Sequence, residues 1–238
     1  MIPQIIHYCW FGGNQLPEVA KANIESWKHY LPNYTIKEWN EDTFDVYSNE
    51  YVREAYTSKK WAFITDYVRL YALSTEGGVY MDTDVEVIKC LDPFLEEKGF
   101  SGFERVNAVP TGIMAAEKGH PFINELLHEY DNLRFIKDDG EMDLTTNVVR
   151  ITNTSVKHGL RLDNTKQTIC DFTYYPKDFF CPKNPRTHEI ELTENTVTIH
   201  HFAGSWDTEK KFRKKMKKVL PTPIKRAIVK VMDFAGIN

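Results

Sequence analysis

Gly77-Gly78-Val79-Tyr80-Met81-Asp82-Thr83-Asp84-Val85-Glu86-Val87 reads as a short apolar strand that ends on two carboxylates one residue apart. In an extended segment alternate side chains share a face, so Asp82 and Asp84 are placed to converge on one hard cation. Mg²⁺ or Mn²⁺ suits such a pair, since each takes few carboxylates and completes its octahedron with water and the oxygens of a substrate diphosphate. Directly upstream, Trp61 to Thr75 is the strongest helical segment. It carries Trp61, Ile64, Val68, Tyr71 and Ala72 on one face, and Gly77 is placed to cap its C-terminus.

To either side the chain alternates strands and helices. Ile5 to Trp10 is a β-rich run entering a loop at Gly12-Gly13. A helix follows, with Pro17 in its first turn and Pro32 ending it, and then a second strand over Tyr34 to Trp39. Further strands are expected at Gly99 to Glu104, Val109 to Ala115 and Thr196 to Phe202, with helices at Pro121 to Tyr130 and Leu144 to His158. This order predicts an α/β sandwich with a mostly parallel central sheet flanked by helices. In open sheets of this class ligands bind beyond the carboxyl ends of the strands, where Asp82 and Asp84 stand.

The composition limits the remaining classes. With 238 residues and 42% hydrophobic content the chain supports one domain, expected over residues 1–209. No run approaches the roughly 18 apolar residues of a membrane span, and Met1-Ile2-Pro3 lacks a basic signal region, which predicts a cytoplasmic protein. Cys9, Cys90, Cys170 and Cys181 are widely spaced, as expected of reduced structural thiols. The net charge of −4 hides ten Lys or Arg and no acid between Lys210 and Lys230, so the remainder carries −14. Phe212, Met216, Val219 and Leu220 form an apolar stripe beside those lysines. Residues 210–238 therefore read as a basic amphipathic tail that binds the cytoplasmic face of a membrane. Nucleic acid is not an expected partner, because the rest of the chain is acidic.

Other residues add to the acidic pair. Asp66 and Arg69 are neighbours on the helix, either as an intrahelical ion pair or as a carboxylate for sugar hydroxyls beside a donor fork for sugar or phosphate oxygens. Trp10, beside two glycines, is either a core residue or a face on which a nucleobase stacks. Val197, Ile199 and His201 share one strand parity, which makes His201 the candidate third metal ligand and His200 the weaker one.

The run Trp61-Ala62-Phe63-Ile64-Thr65-Asp66-Tyr67-Val68-Arg69-Leu70-Tyr71-Ala72-Leu73, followed by Gly77 to Asp84, resembles the signature of glycosyltransferase family 32. Ile2 to Gly13 and His200-His201-Phe202-Ala203-Gly204-Ser205-Trp206 resemble it too. That family includes yeast initiating mannosyltransferases and bacterial capsular polysaccharide transferases, and is related to clostridial glucosylating toxins. The resemblance implies a GT-A-like fold, Mn²⁺ or Mg²⁺, and transfer of a hexose with retention of configuration. The implied donor is a nucleotide sugar, with UDP favoured and GDP-mannose the alternative. The implied acceptor is a glycan or a polyprenyl-diphosphate-linked glycan in cell-surface polysaccharide synthesis. Carried over, Trp10 stacks on the base, Asp66 and Arg69 hold the ribose or sugar, and Tyr80 lines the donor pocket. Asp82, Asp84 and His201 hold the metal, Asp82 also contacts the donor, and Ser205 and Trp206 close over the diphosphate. Asp82, Asp84 and Arg69 are the residues expected to act in catalysis. Residues 105 to 195 match only loosely.

Two other classes fit parts of the pattern. Asp82-Thr83-Asp84-Val85 is also similar to the nucleophile loop of haloacid-dehalogenase-like phosphohydrolases, but the Gly-Asp motif those enzymes use is missing from the sequence. A non-catalytic nucleotide-sugar or glycan-binding module is the other possibility, since a fold does not prove turnover.

Overall fold

The structure, a computed structural model, describes residues 1–204. Its elements are β1 (Ile5–Cys9), α1 (Glu18–Tyr30), β2 (Thr35–Trp39), α2 (Glu50–Thr57), α3 (Trp61–Glu76), β3 (Gly78–Met81), β4 (Val85–Val87), β5 (Gly99–Gly102), β6 (Ile113–Ala116), α4 (Pro121–His128), α5 (Asn147–Lys157), β7 (Gln167–Ile169), β8 (Phe172–Tyr175), α6 (Lys177–Phe180) and β9 (Thr198–His200). Seven strands form one sheet in the order β2-β1-β3-β6-β5-β8-β7, and β4 pairs with β9 in a separate two-stranded sheet. From the pairings, β6 and β7 oppose the other five strands of the large sheet, so the expected α/β sandwich with a mostly parallel sheet is present.

Apolar clusters cover both faces of that sheet. One gathers Phe63, Ile64, Val68, Met114, Phe122 and Ile151, from α3, β6, α4 and α5. The other gathers Ile6, Trp27, Val79, Val85, Ile113 and Phe180, from β1, α1, β3, β4, β6 and α6. Helix α3 is buried over more than the single stripe its sequence suggested, since Phe63, Tyr67, Leu70 and Leu73 are also enclosed. It ends at Gly77, whose φ of +70° and whose Cβ position, 2.5 Å from the Lys118 backbone nitrogen, leave room only for glycine.

Several elements went unpredicted. Helix α2 is only eight residues long, and β7 and β8 form a hairpin whose turn, Cys170 and Asp171, takes positive φ at both residues without glycine. Cys9 and Cys181 are buried, whereas Cys90 and Cys170 are exposed. Among the described residues no helix is long and apolar enough to cross a membrane. Ser205, Trp206 and the basic tail lie outside the described residues.

Candidate functional site

Asp82 stands one residue past the carboxyl end of β3, and Asp84 precedes β4. The link between them is a turn rather than the extended segment expected, closed by the Val85 N–H donating to the Asp82 carbonyl at 2.9 Å. Helix α1 holds this turn from outside. Asn23 Nδ2 donates to the Thr83 carbonyl at 2.9 Å, Trp27 Nε1 to that of Val85 at 2.8 Å, and Ser26 Oγ accepts from the Val87 N–H at 3.0 Å. Side chains thus satisfy backbone groups that a further strand would otherwise pair.

The two oxygens of Asp82 have different surroundings. Oδ1 accepts from Arg69 Nη2 at 3.0 Å and from the Tyr80 hydroxyl at 2.9 Å. Tyr80 is itself buried, with the Arg69 guanidinium 4.6 Å from its ring centroid. Oδ2 lies 3.2 Å from the place a Cβ would take on Gly112, and His200 Cδ2 lies at the same distance from that point. The absence of a side chain at Gly112 leaves this corner open.

Potential ligand atoms of Asp82, Asp84 and His200 all lie within 4.8 Å of one another. His200 Nε2 is 3.3 Å from Asp84 Oδ1. His201, the expected ligand, instead donates from Nε2 to Glu86 at 2.8 Å, while its backbone N–H donates to the Asp84 carbonyl. Parity misled because both faces of β9 are enclosed: Val197 and Ile199 are buried on one side, and Thr198 and His200 on the other. Burial of the His200 ring opposes its charged form, but Asp84, the Cys181 thiol and Asp82 outweigh burial and hold its pKa well above the ordinary value. Two carboxylates and one imidazole fit a divalent ion such as Mn²⁺, and the cradle at Gly112 is consistent with one. Binding such an ion would displace the proton from His200.

Asp66 and Arg69 sit beside this corner. Arg69 approaches Asp82 more closely than Asp66, from which its Nη2 is 3.7 Å away. Burial alone would lower the Arg69 pKa, but Asp82, Tyr80 and Asp66 raise it, so the guanidinium is permanently charged. Burial pushes the Asp66 carboxyl up to about 6 against the pull of Arg69. Asp66 Oδ2 accepts from the backbone N–H of Asn147, the first residue of α5, at 3.0 Å. Trp10 is partly exposed, and its Nε1 donates to the Asn14 carbonyl at 2.6 Å. With Gly12, Gly13, Glu38, Glu41 and Tyr56 it lines a recess of about 570 Å³.

Sequence reasoning ranked His200 behind His201 and missed Gly112, Asn147 and Glu104. Glu104 lies beyond the end of β5 with a side chain 12% exposed, 3.5 Å from Arg105. Its carboxyl pKa is raised by burial, with His200, Arg105 and Arg69 opposing the shift. Of the three missed, Gly112 carried a local signal, as a glycine inside the strand expected over Val109 to Ala115.

Residues 17–101 match the family described as "Glycosyltransferase sugar-binding region containing DXD motif". The chain is 25% identical over 142 residues to inositol phosphoceramide mannosyltransferase 3 of Schizosaccharomyces pombe, covering 56% of this chain and 38% of that protein. It is 27% identical over 131 residues to mannosyl phosphorylinositol ceramide synthase CSH1 of Saccharomyces cerevisiae, covering 53% of this chain and 35% of that protein. The chain thus spans well under half the length of these relatives. Among solved structures, a glycosyltransferase involved in the glycosylation of the major capsid of PBCV-1 superposes with a TM-score of 0.46 at 12% identity, over 88% of this chain and 98% of that one.

Proposed function

We propose that this chain, whose residues 17–101 carry the sugar-binding region of DXD-motif glycosyltransferases, moves a hexose from a nucleoside-diphosphate sugar to a glycan or lipid-linked glycan acceptor, with retention at the anomeric carbon. The observation that carries this reading is the convergence of Asp82, Asp84 and His200 beside the Asp66–Arg69 pair. UDP is the favoured nucleotide and GDP the alternative. Relatives named for mannosyl transfer to inositol phosphoceramide support a lipid-linked acceptor. The basic tail, on this reading, holds the enzyme at a membrane surface.

In this mechanism the bond from the anomeric carbon to the diphosphate oxygen breaks as the acceptor hydroxyl oxygen bonds to that carbon from the same side. The acceptor proton passes to the departing phosphate. Asp82, Asp84 and His200 would hold a divalent ion, which would supply Lewis-acid stabilisation of the leaving diphosphate. Arg69 contributes fixed positive charge on the other side of Asp82 and keeps that carboxylate oriented. Asp66 presents Oδ1 to sugar hydroxyls while α5 holds its Oδ2. Trp10 offers its ring to the base at the edge of the recess.

The phosphohydrolase alternative needs Asp82 as a free nucleophile. Its Oδ1 already accepts two hydrogen bonds, which lower its nucleophilicity.

The test is release of UDP or GDP from UDP-glucose, UDP-galactose and GDP-mannose with Mn²⁺ and no acceptor. We expect slow, metal-dependent hydrolysis, and Asp84→Asn should lower it by at least about a few hundredfold, the scale of losing one strong electrostatic stabiliser. Full turnover in excess EDTA would overturn the metal's part. Phosphate release from simple phosphomonoesters would favour the hydrolase.

A further inference from the structure

His200 meets the metal corner along one edge of its ring. Nε2 lies 3.3 Å from Asp84 Oδ1, and Cδ2 lies 3.2 Å from the Cβ position of Gly112. The opposite edge carries Nδ1, which is sealed in the interior without a hydrogen bond of ordinary geometry. A buried polar atom in that condition costs free energy and calls for a particular cause.

The segment that follows α6 runs beside β9. The Val197 N–H donates to the Phe179 carbonyl at 2.8 Å, Thr198 Oγ1 to the Phe180 carbonyl at 2.9 Å, and Lys183 Nζ to the His201 carbonyl at 3.0 Å. These three bonds bracket Cys181 on one segment and His200 on the other. Cys181 is fully enclosed as a free thiol, and that thiol interacts with the His200 ring. It is not a further member of the corner, where the atoms within 4.8 Å of one another come from Asp82, Asp84 and His200. Phe202 lies over the ring, with 4.2 Å between the two centroids, so the sulfur is left to the Nδ1 edge.

An imidazole that binds a cation through Nε2 carries its one proton on Nδ1, and an acceptor for that N–H fixes the tautomer and the ring angle. A carboxylate, a carbonyl or water ordinarily fills this place. Here the neighbour is a sulfur. We infer that Cys181 is a positioning residue for the metal corner, its Sγ accepting from His200 Nδ1–H and so aiming Nε2 toward Asp82 and Asp84. The inference rests on the reading that this corner binds a divalent ion. Sulfur is a weak acceptor, in keeping with a contact outside ordinary hydrogen-bond geometry.

The competing account is packing alone, since a buried thiol also fills space as a small apolar group. The two accounts rank substitutes in opposite order. Serine keeps an acceptor beside Nδ1 but puts a hydroxyl into an apolar interior, whereas valine fills the volume and offers no acceptor.

The experiment titrates the full chain with Mn²⁺ alone, read by paramagnetic resonance, and compares wild type, Cys181→Ser, Cys181→Val and Asp84→Asn. Asp84→Asn marks the corner and should lose most of the binding. Cys181→Val should bind Mn²⁺ about tenfold more weakly, the low end for a lost orienting neighbour because sulfur is a weak acceptor, and Cys181→Ser should stay within about threefold of wild type. Melting temperature should run the other way, with Cys181→Val at or above Cys181→Ser. Cys181→Ala and Cys181→Thr stand in for valine and serine where either melts below the assay temperature. The Co²⁺ form should show no sulfur-to-cobalt charge-transfer absorption. Such a band, lost in Cys181→Ser, would make the thiol a ligand and overturn the positioning role. Equal Mn²⁺ affinity in wild type and every folded Cys181 variant, or valine binding as well as wild type while serine fails, would overturn this inference alone. Mn²⁺ binding that Asp84→Asn leaves intact would overturn the corner as the metal site and this inference with it.

Discussion

Asp82 divides its work between its two oxygens. Oδ1 is saturated by Arg69 and Tyr80, so the carboxylate is locked in orientation and Oδ2 is presented toward His200. Gly112 is what keeps that presentation open, because a Cβ there would lie 2.8 Å from Val85 Cγ2 as well as 3.2 Å from Asp82 Oδ2 and from His200 Cδ2. Gly112→Ala should therefore push two ligands apart. We expect Mn²⁺ affinity, read by paramagnetic resonance titration, to fall about 10- to 100-fold, as when an orienting neighbour of a metal ligand is lost. The melting temperature should fall too, since overpacking costs roughly 1 to 3 kcal/mol. Unaltered Mn²⁺ binding in the folded variant would show that this corner does not hold the ion. Asp82, Asp84, Asp66 and Arg69 were legible in the sequence because carboxylates at the end of a strand and a charged pair on an apolar helix are conspicuous. Asn147 and Gly112 were not, and His200 ranked only behind His201, because each depends on a partner 27 to 118 residues away in the chain.

At the scale of elements, β1, β2 and the α3–β3 corner are tied together by one ring. His7 Nε2–H donates to the Gly77 carbonyl at 2.7 Å, and its Nδ1 accepts from Trp39 Nε1 at 3.1 Å. The Trp39 bond requires a neutral imidazole, since a second proton on Nδ1 would face the Trp39 N–H, whereas the Gly77 bond is open to either form. Burial lowers the His7 pKa, with the Gly77 bond and Glu76 opposing that shift. The sign follows from linkage. Above the unfolded value of about 6.5 neither state binds a proton here, and the contribution of the neutral ring is complete. As pH falls below that value the unfolded chain takes up a proton that the folded chain refuses, so stability is lost down to the folded pKa. His7→Asn should be less stable than wild type at pH 7 by about 1 to 3 kcal/mol, because two buried groups lose their partner. Its loss of stability between pH 7 and pH 5, followed by urea denaturation, should be shallower than that of the wild type. Parallel slopes would remove His7 as the cause. Elements with long apolar patterns, such as α3, could be read from sequence to within a residue or two. The β7–β8 hairpin could not, because Cys170 and Asp171 adopt left-handed backbone without the Asn-Gly or Asp-Gly signal that announces such turns.

The whole molecule is electrically divided in its sequence, with a charge of +10 over Lys210 to Lys230 against −14 for everything else. An anionic bilayer would attract the first and repel the second, which favours a peripheral enzyme held by its tail rather than one adsorbed broadly over its surface. The apolar positions Phe212, Met216, Val219 and Leu220, followed after Pro221 and Pro223 by Ile224, Ile228, Val231 and Met232, would add insertion of side chains to that attraction. Each basic residue near an anionic leaflet contributes on the order of 1 kcal/mol, enough in sum to withstand partial screening at physiological salt. Such a hold matches a lipid-linked acceptor, because confining enzyme and acceptor to one surface raises the concentration each presents to the other. The expectation is that the full chain sediments with liposomes rich in anionic lipid and less with neutral ones, that salt weakens the binding, and that a chain ending at Glu209 stays in the supernatant. Turnover of a water-soluble acceptor should be equal for the two chains, whereas turnover of a lipid-linked acceptor in anionic liposomes should favour the full one. Equal sedimentation of both chains, or none of the full chain at low salt, would detach the tail from membrane binding and leave the transfer reaction to be explained without it.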